Sequence, residues 1–141
     1  MNALLVPLDG SSSSLRAVRH AVAQARRCPA VIHLLNVESP LDDYGMVGAY
    51  LSRKQHDRAM EARADELLHR ARRRIASKRI RCETHAAIGD VAGTIVATAR
   101  RLGCDAIVMG TRGMSALGNL TVGSVATKVI HLSRVPVTLV K

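Results

Sequence analysis

The stretch of this sequence best suited to chemistry reads Gly110-Thr111-Arg112-Gly113, then nine residues, then Gly123-Ser124. A short apolar run, Ala106 to Met109, precedes it, and a segment with Val122, Val125, Val129 and Leu132 at helical spacing follows it. A strand leading through glycines into a helix leaves main-chain N–H groups around a small concavity, which suits an anion. Glycine at a strand exit admits a ligand to the main chain with no Cβ in the way, and Gly123 and Ser124 lie at the positive end of the helix dipole. Ser124 adds a hydroxyl donor. From Ala106 to Lys141 there is no Asp or Glu, while Arg112, Lys128, Arg134 and Lys141 are present, so nothing within the segment repels a phosphate. The plainer reading makes Gly110 and Gly113 one turn, Gly118 another, and Ser124 a helix cap. Neither common nucleotide fingerprint is met: GxxxxGK[ST] needs Lys where Gly123 stands, and GxGxxG is absent.

The elements that would position this segment follow from periodicity. Met1 to Leu8 is a buried strand, and Asp9-Gly10 with four serines makes a turn and a helix N-cap. Leu15, Val18, Val22 and Ala25 form the apolar stripe of a first helix, which Pro29 stops. Ala30 to Val37 is a second strand, and Glu38 to about Ser52 a surface loop. A long helix with Met60, Ala64, Leu67, Leu68, Ala71 and Ile75 as its seam comes next, then a weaker third strand from Ile80 to Ile88, exposed at one side. Gly89-Asp90 caps a helix with Val91, Ile95, Ala99 and Leu102 inward and Gly103 at its end, and Val135 to Val140 is the last strand. Strands alternating with helices predict an α/β fold, an open parallel sheet sandwiched by helices. Ligands of such sheets sit beyond the carboxyl ends of the strands where strand order reverses, which singles out Asp9, Val37, Ile88 and Gly110.

The 141 residues fit one domain at the usual ~150 residues per domain. With 48% apolar residues and no aromatics besides Tyr44 and Tyr50, the core must be aliphatic, and disorder is excluded. Twenty-one Lys and Arg against eleven Asp and Glu give +10, which favours an anionic partner without choosing one.

The whole chain, 1–141, resembles a universal stress protein domain. Nucleotide-binding members carry GxxG, nine residues, then G[ST], matched here at Gly110, Gly113, Gly123 and Ser124. The opening Leu5-Val6-Pro7-Leu8-Asp9-Gly10-Ser11 and the closing Val135-Pro136-Val137-Thr138-Leu139-Val140 support the resemblance. It implies a five-stranded parallel sheet in the order 3-2-1-4-5, an adenine nucleotide alpha hydrolase-like and Rossmann-like fold, and a cytoplasmic ATP-binding stress-response module. By position, Pro7, Leu8 and Asp9 would contact adenine and ribose, and Val37 the adenine. Met109, Gly110, Arg112 and Gly113 would line the phosphate loop, with Gly123, Ser124, Val125 and Ala126 donating from the helix start. The resemblance also implies a homodimer through Val135–Val140. An uncharged strand at a sheet edge independently asks to be paired or covered; the loop from Glu38 to Ser52 is the other element that would cover it, or would close over the nucleotide. The alternative function is a nucleotide-free dimeric interaction module in which the glycines serve only as turns.

Micromolar affinity requires about 8 kcal/mol, whereas a helix terminus supplies roughly 0.3–1 for a charge and up to about 2 when partly buried. Charged hydrogen bonds add about 1.5–3 kcal/mol each, so an apolar slot for adenine, drawn from Val37 and Met109, and an acceptor, Asp9, are needed as well. The sequence places no carboxylate pair or His-carboxylate pair on the phosphate loop, which predicts a binding switch whose ATPase activity, if any, is slow and dependent on Mg²⁺.

The remaining features read plainly. His20, His33, His56, His69, His85 and His131 show no ligand spacing and are expected to be ordinary histidines rather than metal ligands. Cys28, Cys82 and Cys104 are odd in number without CxxC spacing, the pattern of reduced cytoplasmic thiols acting as small buried or half-buried hydrophobes. The cluster Arg70, Arg72, Arg73, Arg74, Lys78, Arg79 and Arg81 lacks neighbouring aromatics to stack on bases, so a solvated helix end is favoured over nucleic-acid binding. No apolar run approaches the ~20 residues that cross a bilayer.

Overall fold

The computed structural model describes residues 2–40, 53–75, 79–112 and 122–141. Most of the expected Glu38–Ser52 loop, with Tyr44 and Tyr50, lies outside them, as do Gly113 and Gly118. In chain order the elements are β1 (Ala3–Pro7), α1 (Ser12–Arg27), β2 (Val31–Glu38), α2 (Arg53–Arg74), β3 (Cys82–Ile88), α3 (Val91–Arg101), β4 (Ala106–Gly110), α4 (Ser124–Leu132) and β5 (Val137–Val140). All strand pairs are parallel, in the order β3-β2-β1-β4-β5.

Side chains alternate across a strand, so each strand feeds two faces. Leu4, Val6, Ile32, Leu34, Ala106 and Val108 pack on one face with Ala17, Val18 and Ala21 of α1 and Leu68 and Ala71 of α2. Leu5, Leu35, Ile107 and Met109 pack on the other with Ala92, Ile95 and Ala99 of α3 and Ala126 and Val129 of α4. Leu4, Leu5, Ile32, Leu34 and Ile107 are fully buried, and each such side chain contributes about 1.5–3 kcal/mol of transfer free energy. Alanines at the helix contacts bring the helices close to the sheet, which lets a core without aromatic rings fill its volume.

The caps follow the local sequence. Ser11 caps α1, its Oγ accepting the Ser14 amide at 3.1 Å, and Asp90 caps α3 by accepting the Gly93 amide at 2.8 Å. Gly103, at φ +62°, lies just past the end of α3 as expected. Three expectations are corrected. Gly123, not Ser124, is the N-cap of α4, which leaves Ser124 as its first helical residue. The last strand begins at Val137, because Pro136 has no N–H to enter a ladder. Cys28 is exposed, since it ends α1 rather than facing the core, whereas Cys82 is half-buried and Cys104 buried. Burial pushes the Cys104 thiol up to about 11, which keeps it protonated and inert.

Candidate functional site

In the order β3-β2-β1-β4-β5 the strand order reverses between β1 and β4, and the carboxyl ends of these parallel strands meet the N-termini of α1 and α4. Pro7, the last residue of β1, is buried, and Asp9 beyond it is exposed. Asp9 Oδ1 accepts the Ser11 amide at 2.9 Å, a tight turn that Gly10 completes at φ +85°. Among the described residues a Cβ at Gly10 would meet Leu67 Cδ1 at 3.5 Å, an ordinary contact, so it is the backbone angle that selects glycine there. Helix capping thus falls to Ser11, and the Asp9 carboxylate stands at the strand end facing solvent.

Gly110 ends β4 for a different reason from the one its sequence context suggests. A Cβ built there would lie 2.8 Å from the Ser13 carbonyl carbon and 2.9 Å from Ser13 Cβ. Its missing side chain lets α1 sit against β4, and Ser13 Oγ then donates to the Val140 carbonyl at 3.1 Å. Thr111, buried, continues the strand by donating its amide to Val140 at 3.0 Å, and its carbonyl accepts the Gly123 amide at 2.6 Å. The N–H of Gly123, expected to donate to a ligand, here joins the start of α4 to the end of β4. The Thr127 amide bonds back to Gly123 at 3.0 Å, and the three amides between, of Ser124, Val125 and Ala126, have no acceptor among the described residues. Arg112 is exposed, and its carbonyl accepts from Ser11 Oγ at 3.4 Å, tying the loop to the start of α1.

Val37 and Met109 both belong to the α3–α4 face, and by alternation with Ala3 and Leu5 so does Pro7. Leu8 does not join them. Its side chain is 3% exposed within the α1–α2 core, its amide donates to Leu35 at 2.7 Å, and its carbonyl accepts Asn36 Nδ2 at 2.9 Å. Leu8 supports the strand end from beneath.

Two participants escape a linear reading. Asn36, 3% exposed, is a polar interruption of an apolar run in β2, and its Oδ1 is buried beside the β1 exit without a partner among the described residues. That interruption was the available signal. Asp90 comes from α3 to Lys128 of α4, with Oδ1 2.8 Å from Nζ. Hydrogen bonds from Lys128 and the Gly93 amide hold its carboxyl below the usual range. The acid-free segment Ala106–Lys141 thus acquires a carboxylate beside its helix by folding, and the Lys128 charge is already paired. The pair is exposed on both sides, so Lys128→Ala is expected to leave the urea midpoint almost unchanged.

The sequence pattern of the Universal stress protein family matches residues 1–141. The chain belongs to that family. It is 33% identical over 146 residues to Universal stress protein YxiE of Bacillus subtilis (strain 168), with 99% of each chain covered. Among solved structures, the universal stress protein UspA from Lactobacillus plantarum superposes with a TM-score of 0.82 at 23% identity, covering 99% of this chain and 97% of that one. A universal stress protein in complex with cAMP superposes at 0.73 with 24% identity, covering 99% and 95%. The Archaeoglobus fulgidus universal stress protein in complex with dAMP superposes at 0.70 with 22% identity, covering 100% and 98%. These likenesses establish the universal stress protein fold for this chain. Among the described residues no helix is long and apolar enough to cross a membrane.

Proposed function

We propose that this universal stress protein binds an adenine nucleotide, ATP, at the carboxyl ends of β1, β2 and β4, and that occupancy alters its contacts with a protein partner in a stress response. The observation that carries the reading is the row of three amides, Ser124, Val125 and Ala126, without an acceptor among the described residues, at the strand-order reversal that also presents the Asp9 carboxylate. A row of free amides at a helix start is complementary to phosphate oxygens. Asp9, an exposed acceptor, is matched to ribose hydroxyls, and Pro7, Val37 and Met109 supply apolar surface on one face for adenine. Gly110, Arg112 and Gly113 belong to the connection that the phosphates would follow, with Arg112 as its cation and Mg²⁺ neutralising the phosphates. Relatives of the same fold that hold cAMP and dAMP support the adenine assignment. The protein acts as a binding switch, with slow turnover at most.

Calorimetric titration with Mg·ATP tests this together with mass spectrometry of small molecules released on denaturation. Asp9→Ala removes a charged acceptor worth about 1.5–3 kcal/mol and is expected to weaken binding at least about tenfold. No heat of binding and no released nucleotide would leave the nucleotide-free interaction module as the better account.

A second copy along β5 is part of the same reading. β5 is an edge strand with no described neighbour beyond it, and Ile130 and Leu132 of α4 are exposed. Light scattering is expected to give twice 15.2 kDa, and a species of 15.2 kDa alone at micromolar concentration would remove the dimer.

A further inference from the structure

We propose that His33, Glu83 and His85 form a binding site for a first-row divalent metal ion, with Zn²⁺ the best match. The site does not depend on the nucleotide reading. It is built by strand register: His33 lies opposite Glu83 and Leu35 opposite His85 in the parallel β2–β3 pair, so all three side chains emerge on the α3 face of the sheet. His33 Nδ1 is 3.0 Å from His85 Nε2 and 3.6 Å from Glu83 Oε2, and the three donor atoms lie within 4.8 Å of one another. Tetrahedral zinc with bonds of about 2.0–2.2 Å places its ligand atoms roughly 3.3–3.5 Å apart. These two separations bracket that value, and the third pair, within 4.8 Å, closes by rotation of the His85 and Glu83 side chains.

The chemistry of the donors agrees with the geometry. In the metal-free chain the facing ring nitrogens share one hydrogen bond, in which one carries the proton and the other the lone pair. Moving that proton to the far nitrogen of the same ring leaves two lone pairs aimed at one point, with no change in net charge.

Arg81 Nη2 sits 2.7 Å from Glu83 Oε1, which orients the carboxylate and leaves Oε2 toward His33. Arg81 and Arg101 oppose a cation here, and the Glu83 charge offsets part of that opposition. Two imidazoles and one carboxylate select zinc, cobalt, nickel or copper over magnesium or calcium, which prefer all-oxygen shells. Three protein ligands leave a fourth position for water, and the half-buried Glu83 and His85 keep the site open on one side.

The test uses the full chain stripped with a chelator and titrated with Zn²⁺ by calorimetry and with Co²⁺ by visible absorption. One ion per chain is expected, with the intense visible bands of tetrahedral Co²⁺. His85→Ala and Glu83→Gln are expected to weaken Zn²⁺ binding at least about tenfold, while His69→Ala, at an exposed position of α2 on the other face of the sheet, leaves it unchanged. Neither test variant alters a fully buried side chain, and circular dichroism verifies that each is folded. Absence of Zn²⁺ heat and Co²⁺ bands, or equal affinity in wild type and both variants, would overturn the proposal and leave the cluster as a histidine pair bonded within the sheet.

Discussion

Gly110→Ala is expected to destabilise the fold by about 1–3 kcal/mol, the usual cost of forcing atoms into a filled interior. The added Cβ would stand 2.8 Å from the Ser13 carbonyl carbon and 2.9 Å from Ser13 Cβ. The first of these atoms is main chain of α1, so no rotamer change relieves the contact and the helix must move off β4. Because Ser13 also bonds Val140 and Arg16 Nε reaches the Lys141 carbonyl at 2.5 Å, that movement loosens the join between α1 and β5 as well. Urea unfolding should show a lower midpoint at an unchanged slope. Ser13→Gly in the same chain should restore only part of the loss, since the backbone contact remains. Gly103→Ala is the control: a Cβ there meets nothing within 4 Å among the described residues, and the positive φ of 62° is penalised, at about 1 kcal/mol. A Gly110→Ala loss no larger than the control would mean that α1 is not held against β4 by this glycine.

The second expected result separates the main chain of α4 from its side chains. Ser124→Pro should weaken Mg·ATP binding by about 10–150-fold, the equivalent of one charged hydrogen bond of roughly 1.5–3 kcal/mol. Proline at the first helical position deletes an amide that has no acceptor in the helix, so no intrahelical bond is broken. Gly123 stands at φ −73° and ψ 163°, the extended conformation that a following proline requires. The melting temperature is therefore expected to hold or rise while affinity falls. Ser124→Ala keeps the amide and loses only the hydroxyl, and should cost severalfold at most. Equal affinities in the proline variant, the alanine variant and wild type would show that no phosphate rests on this amide.

Much of the architecture was legible from residue pattern. Of the stripe Leu15, Val18, Val22 and Ala25, Val18 and Ala25 became buried in α1 while Leu15 and Val22 lie half-buried beside Ala17 and Ala21, Ile95 and Ala99 became the buried side of α3, and the apolar runs around Leu5 and Ile107 became central strands, because periodicity reports which side of an element leaves water to within about one position. The serines after Gly10 and the Asp90 cap were readable for a similar reason: a side chain that bonds an amide three residues on acts within one turn. Strand order came from the resemblance rather than from periodicity, which is silent on which strands pair.

What linear order could not supply was every contact between residues far apart in it. The glycine that seemed to make room for a ligand makes room for Ser13, 97 positions earlier. The Gly123 amide is engaged by Thr111, and an acid-free stretch gains Asp90 as a neighbour. His33 and His85 looked like unrelated strand residues until parallel register put their rings 3.0 Å apart. Local sequence alone determined which segments form elements and which faces they bury, since those preferences act over a few residues. Tertiary packing decided which amides stay free, which charges meet and where donor atoms converge, because a hydrogen bond or ion pair depends on ångström-scale placement that exists only once the sheet has assembled.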